Sequence, residues 1–182
     1  MSGVAGFPQG LTYSRTSATA KNTFTTAATC INPSDVIPVP ANYLSRDSVL
    51  SFYIAGALGN VVTAQPTFTF QIMLGAVAIW SSGALTTNAT ANTALPFLLE
   101  LDLRIVTEGS STSATALGVG RVQCAALVNT NAAVPITSPA AGTGFDSTTA
   151  ANLDFFVACG TSNAANTFQV HNYRVMQLRF GS

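Results

Sequence analysis

The chain has 182 residues, enough for one domain with a substantial core, and only 8% of them are charged, seven basic and seven acidic. Ordinary soluble domains carry about 25% charged residues. This balance argues against nucleic-acid binding, because proteins that bind phosphates need clustered Lys and Arg. No apolar run reaches the roughly eighteen residues of a transmembrane helix, and no signal peptide is visible, so no membrane partner is expected. A neutral surface favours a stable assembly, since monomers usually keep a net charge that resists association.

The first segment, residues 1–22, predicts an extended N-terminal arm. It combines Gly, Pro, Ser and Thr without hydrophobic periodicity, which is typical of a segment that does not pack by itself. The large apolar side chains available to anchor it are Phe7, Leu11 and Tyr13, and we expect these three to form the partner interface. We therefore predict an arm that orders only on binding, followed by one folded domain over residues 23–182.

The rest of the chain predicts about eight strands. The clearest is 97–107, where four aliphatic side chains alternate with Glu100, Asp102 and Arg104, the two-residue period of a half-buried antiparallel strand. The other strands are predicted at 23–31, 48–57, 67–74, 77–80, 115–128, 153–159 and 167–180, with a long loop at 132–150. No amphipathic helix is evident. The pattern predicts an all-β fold, a single antiparallel jelly-roll β-sandwich.

Two glycines and the single tryptophan give further predictions about local structure. Gly118 and Gly120 interrupt their predicted strand and indicate a bulge or a close backbone approach. Trp80 ends a short predicted strand, where a buried core plug is favoured over an exposed sugar-stacking platform.

The sequence offers no strong pattern for catalysis, for a cofactor or for a metal. His171 is the single histidine, and a hydrolase triad with Asp146 or Asp154 lacks the Gly-x-Ser-x-Gly elbow. Glu100 and Asp102 could form a glycosidase carboxylate pair, but Arg104 on the same face favours a structural salt-bridge ladder.

The remaining candidates for a modified or metal-binding residue also favour a structural role. Cys30, Cys124 and Cys159 are too widely spaced for a zinc site or a disulfide framework, and we expect buried thiols in a protein made in a reducing cytoplasm. Asn88-Ala-Thr90 matches a glycosylation acceptor without a secretory signal, so we interpret it as accidental. The sequence therefore predicts a non-enzymatic protein without metal or cofactor.

The order of several segments resembles a known group of proteins. The segments are Val39-Pro-Ala-Asn-Tyr-Leu44, Phe68-Thr-Phe-Gln-Ile-Met-Leu-Gly75, Ala78-Ile-Trp80, Pro96-Phe-Leu-Leu-Glu-Leu101 and Gly160-Thr-Ser-Asn-Ala-Ala-Asn-Thr167. Over roughly residues 38–180 this succession resembles the jelly-roll virion structural proteins of tailed bacteriophages, which include capsid decoration (cement), head-fibre and tail-associated proteins.

The resemblance implies a homotrimeric jelly roll on the capsid surface that contacts the major capsid protein, assembled in the host cytoplasm. It brings no catalytic residue. The alternative is a receptor-binding or structural domain of a tail fibre or spike that recognises host glycans through loops such as 132–150. A hydrolase on the same scaffold is a third hypothesis, which the lack of a triad or acid pair disfavours.

Overall fold

A computed structural model describes residues 9–13, 16–61, 65–136 and 144–178. Within these ranges the chain forms eleven strands and one 3₁₀ turn, Pro33–Asp35. The strands are β1 (Gln9–Tyr13), β2 (Ala28–Thr29), β3 (Ile37–Val39), β4 (Val49–Asn60), β5 (Thr67–Leu74), β6 (Val77–Thr86), β7 (Asn92–Thr107), β8 (Thr115–Cys124), β9 (Asn131–Val134), β10 (Ala151–Cys159) and β11 (Thr167–Leu178).

The strands form two antiparallel sheets that pack as a sandwich. One sheet has six strands in the order β1-β11-β4-β7-β8-β9. The other has five: β2-β10-β5-β6 form a continuous path, and β3 also pairs with β10. The prediction of an all-β antiparallel sandwich is confirmed, with eleven strands within the described ranges where about eight were expected. The jelly-roll connectivity stays a prediction.

A cluster of phenylalanine rings joins the two sheets. Phe70 on β5 lies with its ring centroid 4.7 Å from that of Phe97 on β7 and 5.2 Å from that of Phe168 on β11. Phe97 and Phe168 meet edge to face at 5.0 Å. Such tilted contacts suit the charge distribution of aromatic rings, and each ring removes a large apolar area from water. This cluster fixes how the sheets face each other.

Strict alternation explains why β5 and β7 form where the sequence predicts them. Every second residue of β5 is buried, and the same holds along the middle of β7. The buried β7 residues face the other sheet, and their neighbours Glu100, Asp102 and Arg104 face outward. The sequence period therefore determines which face of the six-stranded sheet carries charge.

Part of the segment predicted as an extended arm lies within the described ranges, and its backbone pairs with the last strand there. Gln9–Tyr13 is an edge strand that pairs with β11. The chain continues along the same edge, where the Ala18 amide donates to the Val170 carbonyl at 2.8 Å and Lys21 forms a bridge with Phe168. Backbone hydrogen bonds form with any side chains except proline, so the Gly and Ser content of this segment does not prevent it from pairing with β11. Residues 9–13 and 16–21 are thus part of the sandwich.

Several predicted boundaries are wrong; β7 begins at Asn92 instead of residue 97, and β8 ends at Cys124 instead of residue 128. β6 continues to Thr86 instead of ending near residue 80, because the Ser82 hydroxyl accepts a hydrogen bond from the Phe70 amide at 2.9 Å across an irregular register. The predicted loop 132–150 overlaps β9, which pairs with β8. In the predicted strand 23–31, only Ala28–Thr29 is paired as a strand, with β10.

The glycines of β8 allow the close approach that the sequence indicated. A Cβ on Gly118 would lie 2.5 Å from Cδ1 of Trp80, and a Cβ on Gly120 would lie 2.1 Å from the Glu100 carbonyl oxygen. Trp80 is 5% exposed, and its indole Nε1 donates to the Gly118 carbonyl at 3.2 Å. The prediction of a core plug is confirmed: Trp80 reaches from β6 to β8 and ties the two sheets together.

Candidate functional site

The outer face of the six-stranded sheet carries a shallow depression of about 470 Å³, which we call the sheet-face depression. Its polar side chains come from four strands, and one exposed valine adds an apolar surface. These residues are Ser51, Tyr53, Glu100, Asp102, Val119, Arg121 and Arg174. Four of the chain's fourteen charged residues therefore meet in this one place.

The strand register brings these side chains into two neighbouring rows. In the first row Tyr53 is directly opposite Arg174 on one side and Glu100 on the other, and Glu100 is opposite Arg121. In the second row Ser51, Asp102 and Val119 follow one another across three strands. Directly opposite residues in a sheet have Cβ atoms about 5 Å apart, so each row is a contact series.

The first row is held by one ion pair and one cation–π contact. Arg121 donates from Nε to Oε2 of Glu100 at 2.6 Å, and its Nη2 lies 2.5 Å from the same oxygen. The guanidinium carbon of Arg174 lies 5.2 Å from the centroid of the Tyr53 ring. These contacts hold both arginine side chains in place. The other carboxylate oxygen of Glu100, Oε1, has no hydrogen-bond partner among the described residues.

The sequence predicts a cross-strand salt-bridge ladder on this face, and two of its three charged β7 residues form ion pairs outside their own strand, Glu100 with Arg121 and Arg104 with Asp47. Arg104 does not pair with the acids of its own strand; its Nε donates to Oδ1 of Asp47 at 3.1 Å, and its Nη2 contacts the same atom. Asp102 is exposed, and its side chain has no hydrogen bond or ion pair with any described residue. The ladder therefore leaves one carboxylate on the face without a partner.

Sequence reasoning missed three members of this site. Arg121 follows the predicted bulge glycines, and its position opposite Glu100 depends on a register shift between Ile105 and Thr107 that no local pattern specifies. Tyr53 and Arg174 lie on strands far apart in the sequence, and no local pattern joins them. Only the β4–β11 pairing brings them together.

The other residues considered for catalysis lie apart from the depression. His171 is exposed on β11, and its Nδ1 lies 2.9 Å from the hydroxyl of Ser17. Asp146 accepts hydrogen bonds from the Thr148 hydroxyl at 2.6 Å and the Ser111 amide at 2.9 Å, and these bonds lower its pKa. Asp146 therefore stabilises the local loop conformation through these hydrogen bonds.

Asp154 and Cys30 lie where β2 meets β10. Burial raises the pKa of Asp154, although the Thr29 hydroxyl, which donates to its Oδ1 at 2.8 Å, partly offsets that effect. Burial also raises the pKa of the Cys30 thiol well above its usual value, and the nearby Asp154 adds to the shift. All three cysteines are buried and free, as predicted.

The three predicted partner-contact residues fall at the start of the chain. Phe7 lies outside the described residues, and Leu11 and Tyr13 belong to β1. Asn88 is engaged in a turn: its Nδ2 donates to the Ala125 carbonyl at 2.7 Å, and its Oδ1 accepts from the Thr90 amide at 3.0 Å.

Two negative findings concern only the described ranges. They contain no group of three or more His, Cys, Asp or Glu side chains that could hold a metal ion. They also contain no helix with the length and hydropathy needed to span a membrane.

A second surface feature lies where β6 and β9 form neighbouring edges of the two sheets. Its groove of about 370 Å³ is lined only by uncharged residues, which we call the neutral groove: Ala84, Leu85, Thr86, Leu127, Val128, Asn129, Ala132, Ala133 and Ile136. Val128 and Ile136 are 65% and 50% exposed. The Ile136 amide donates to the Ser82 carbonyl at 3.0 Å and links the two edges.

Comparisons with known proteins leave the family open. The sequence matches no protein-family model and no curated protein. Among solved structures, the chain is similar to the carbohydrate recognition domain of Emp47p. The two chains are 9% identical, the match covers 90% of this chain and 96% of that one, and the TM-score is 0.28.

Proposed function

We propose that this protein is a non-enzymatic virion structural protein, most specifically a capsid decoration protein that binds the major capsid protein lattice as a homotrimer and stabilises the phage head. The proposal begins from the resemblance of residues 38–180 to jelly-roll virion proteins of tailed phages. The observation that carries it is the neutral groove, because a surface of this kind suits a lasting protein contact.

The strand order supports the jelly-roll part of the proposal. A jelly roll distributes eight strands over two sheets as two Greek keys. If β2 and β3 are counted as one interrupted strand and the β8–β9 hairpin as an addition, two four-stranded sheets remain. Their orders are β1-β11-β4-β7 and β2-β10-β5-β6. Since folds host many functions, this order supports the scaffold only, and the function must rest on surfaces.

The neutral groove supplies such a surface. Two of the three large apolar side chains that the described residues expose, Val128 and Ile136, line it. The cores of protein interfaces are depleted in charged residues, as this groove is. Attachment through it would depend on shape and apolar burial, with little electrostatic steering, and should be insensitive to salt.

The test is recovery of the protein with purified DNA-filled heads that lack tails. We expect the full chain to sediment with heads at both low and high salt, and the double variant Val128→Ser/Ile136→Ser to lose most of this association. Val119→Ser is the matched control, because Val119 is 52% exposed on the sheet face, away from the groove. It should bind heads as the wild type does.

Two results would overturn the proposal. Absence of the protein from tailless heads, with recovery on tails, would favour the tail-fibre alternative. Equal head binding by the groove variant and the wild type would remove the groove as the contact surface.

A further inference from the structure

We propose that the sheet-face depression is a binding site for a neutral saccharide. This site is distinct from the neutral groove and does not depend on the capsid assignment. It differs from the loop-borne glycan recognition considered from sequence, because it lies on the outer face of the six-stranded sheet and uses no residue of 132–150.

The first argument is the number of hydrogen-bonding groups left available in one concave place. Both carboxylate oxygens of Asp102 and Oε1 of Glu100 are acceptors without a partner among the described residues. The guanidinium of Arg174 rests on a ring and donates no hydrogen bond within the described part of the chain. Binding sites are typically concave surfaces where a few polar groups converge. Donors and acceptors alternate here at the spacing of a sheet, which suits a ligand with several hydroxyl groups.

The second argument is charge. Glu100 and Asp102 balance Arg121 and Arg174, so the formal charges of the depression cancel. A strongly charged ligand of either sign would be attracted by two of these side chains and repelled by the other two at similar distances. A neutral polyhydroxylated ligand can donate to the carboxylates and accept from the guanidinium groups, and such charge-assisted hydrogen bonds are stronger than neutral ones.

The third argument is that the groups are held in place. Arg121 is fixed by two contacts to Oε2 of Glu100, and Arg174 is positioned over Tyr53. Their side chains lose less conformational freedom when a ligand binds, which is the advantage of a preorganised site. The exposed side chain of Val119 offers an apolar surface for the C–H face of a sugar ring.

The experiment is a titration of the ¹⁵N-labelled full chain with maltotriose, mannotriose, N,N′,N″-triacetylchitotriose and lactose, followed by amide chemical shifts. For at least one probe we expect saturable shifts in β4, β7 and β8 around Ser51, Asp102 and Val119, with a dissociation constant on the order of 1 mM. Sialyllactose is the charged comparison and should gain no advantage at low salt.

Variants then connect the shifts to the named groups. Asp102→Ala and Arg174→Ala should each weaken binding by about tenfold, since each removes a charged hydrogen-bonding partner. The matched controls are Glu108→Ala and Arg46→Ala, an exposed acid and an exposed arginine outside the depression. Both should bind the probe as the wild type does. Unchanged amide spectra in the absence of sugar show that all four variants are folded.

Three outcomes would overturn this proposal while leaving the capsid assignment standing. The first is no shift with any neutral probe at about 10 mM. The second is binding of sialyllactose alone, abolished by salt, which would identify an anion site. The third is a set of shifts on this face that grow with protein concentration without sugar, which would identify a contact between copies of the chain.

Discussion

The contact between Trp80 and Gly118 gives a prediction with a calculable size. In Gly118→Ala the new methyl carbon would lie 2.5 Å from Cδ1 of Trp80 and 2.9 Å from Cδ1 of Leu103, closer than carbon atoms can approach. The indole must move, and overpacking of this kind costs about 1–3 kcal/mol. Loss of the Nε1 hydrogen bond to the Gly118 carbonyl adds about 1 kcal/mol. We expect the free energy of unfolding to fall by about 2–4 kcal/mol.

Urea unfolding followed by fluorescence measures this change directly, because Trp80 is the single tryptophan of the chain. The native emission of Gly118→Ala should also shift as the indole is displaced. Val119→Ala is the control on the same strand; its side chain faces solvent, so its cost should stay within about 0.5 kcal/mol. A Gly118→Ala loss within that range, with unchanged emission, would refute the packing argument.

A double-mutant cycle tests the assigned cause. Trp80→Phe shortens the side chain that meets the new methyl group, so the two substitutions together should cost at least about 1 kcal/mol less than the sum of their separate costs. Circular dichroism replaces fluorescence for the variants without tryptophan. Additive costs would mean that the methyl group collides with something other than the indole.

Three further predictions concern charge and thiols. Glu100→Gln should change the free energy of unfolding by no more than about 1 kcal/mol, and by less at high salt, because its ion pair with Arg121 is more than one third exposed; urea titrations at two salt concentrations check this. Burial raises the folded-state pKa of Asp154, so the folded state binds more protons than the unfolded state does. The contribution of Asp154 to stability is therefore largest below the unfolded pKa of about 4, and it declines as the pH rises through the folded pKa. Asp154→Asn should remove that decline in a pH series of urea titrations, and an unchanged slope would contradict the assignment. The three buried cysteines should react with a thiol reagent only in urea, and rapid labelling of the native protein would be evidence against their burial.

The parts of the fold that the sequence predicted are those with local causes. β5 was placed at its observed bounds because its alternation and the following Gly75 turn involve only neighbouring residues. The continuation of β6 past the Ser81-Ser82-Gly83 run was missed, because the Ser82 hydroxyl accepts a hydrogen bond from the Phe70 amide on another strand. Whether a run of serine and glycine ends a strand depends on that distant partner.

The candidate site shows the same division. The outward direction of Glu100 and Asp102 follows from the two-residue period alone. Which residues lie opposite them depends on the strand register. An irregular pairing between Ile105 and Thr107 shifts the register of the β7–β8 hairpin. Arg174 reaches the site only because β11 pairs with β4, and no pattern within either strand specifies that pairing.

The position of β11 between β1 and β4 has a consequence for synthesis. Gln9 pairs with Gln177 and Lys21 with Phe168, so the early segment meets a partner that the ribosome makes much later. At roughly 5–20 residues per second, the wait is on the order of ten seconds. During that interval both β4 and the early segment have unpaired backbone edges, the feature that promotes wrong pairing between nascent chains. The emergence of β11 then closes both edges in one step.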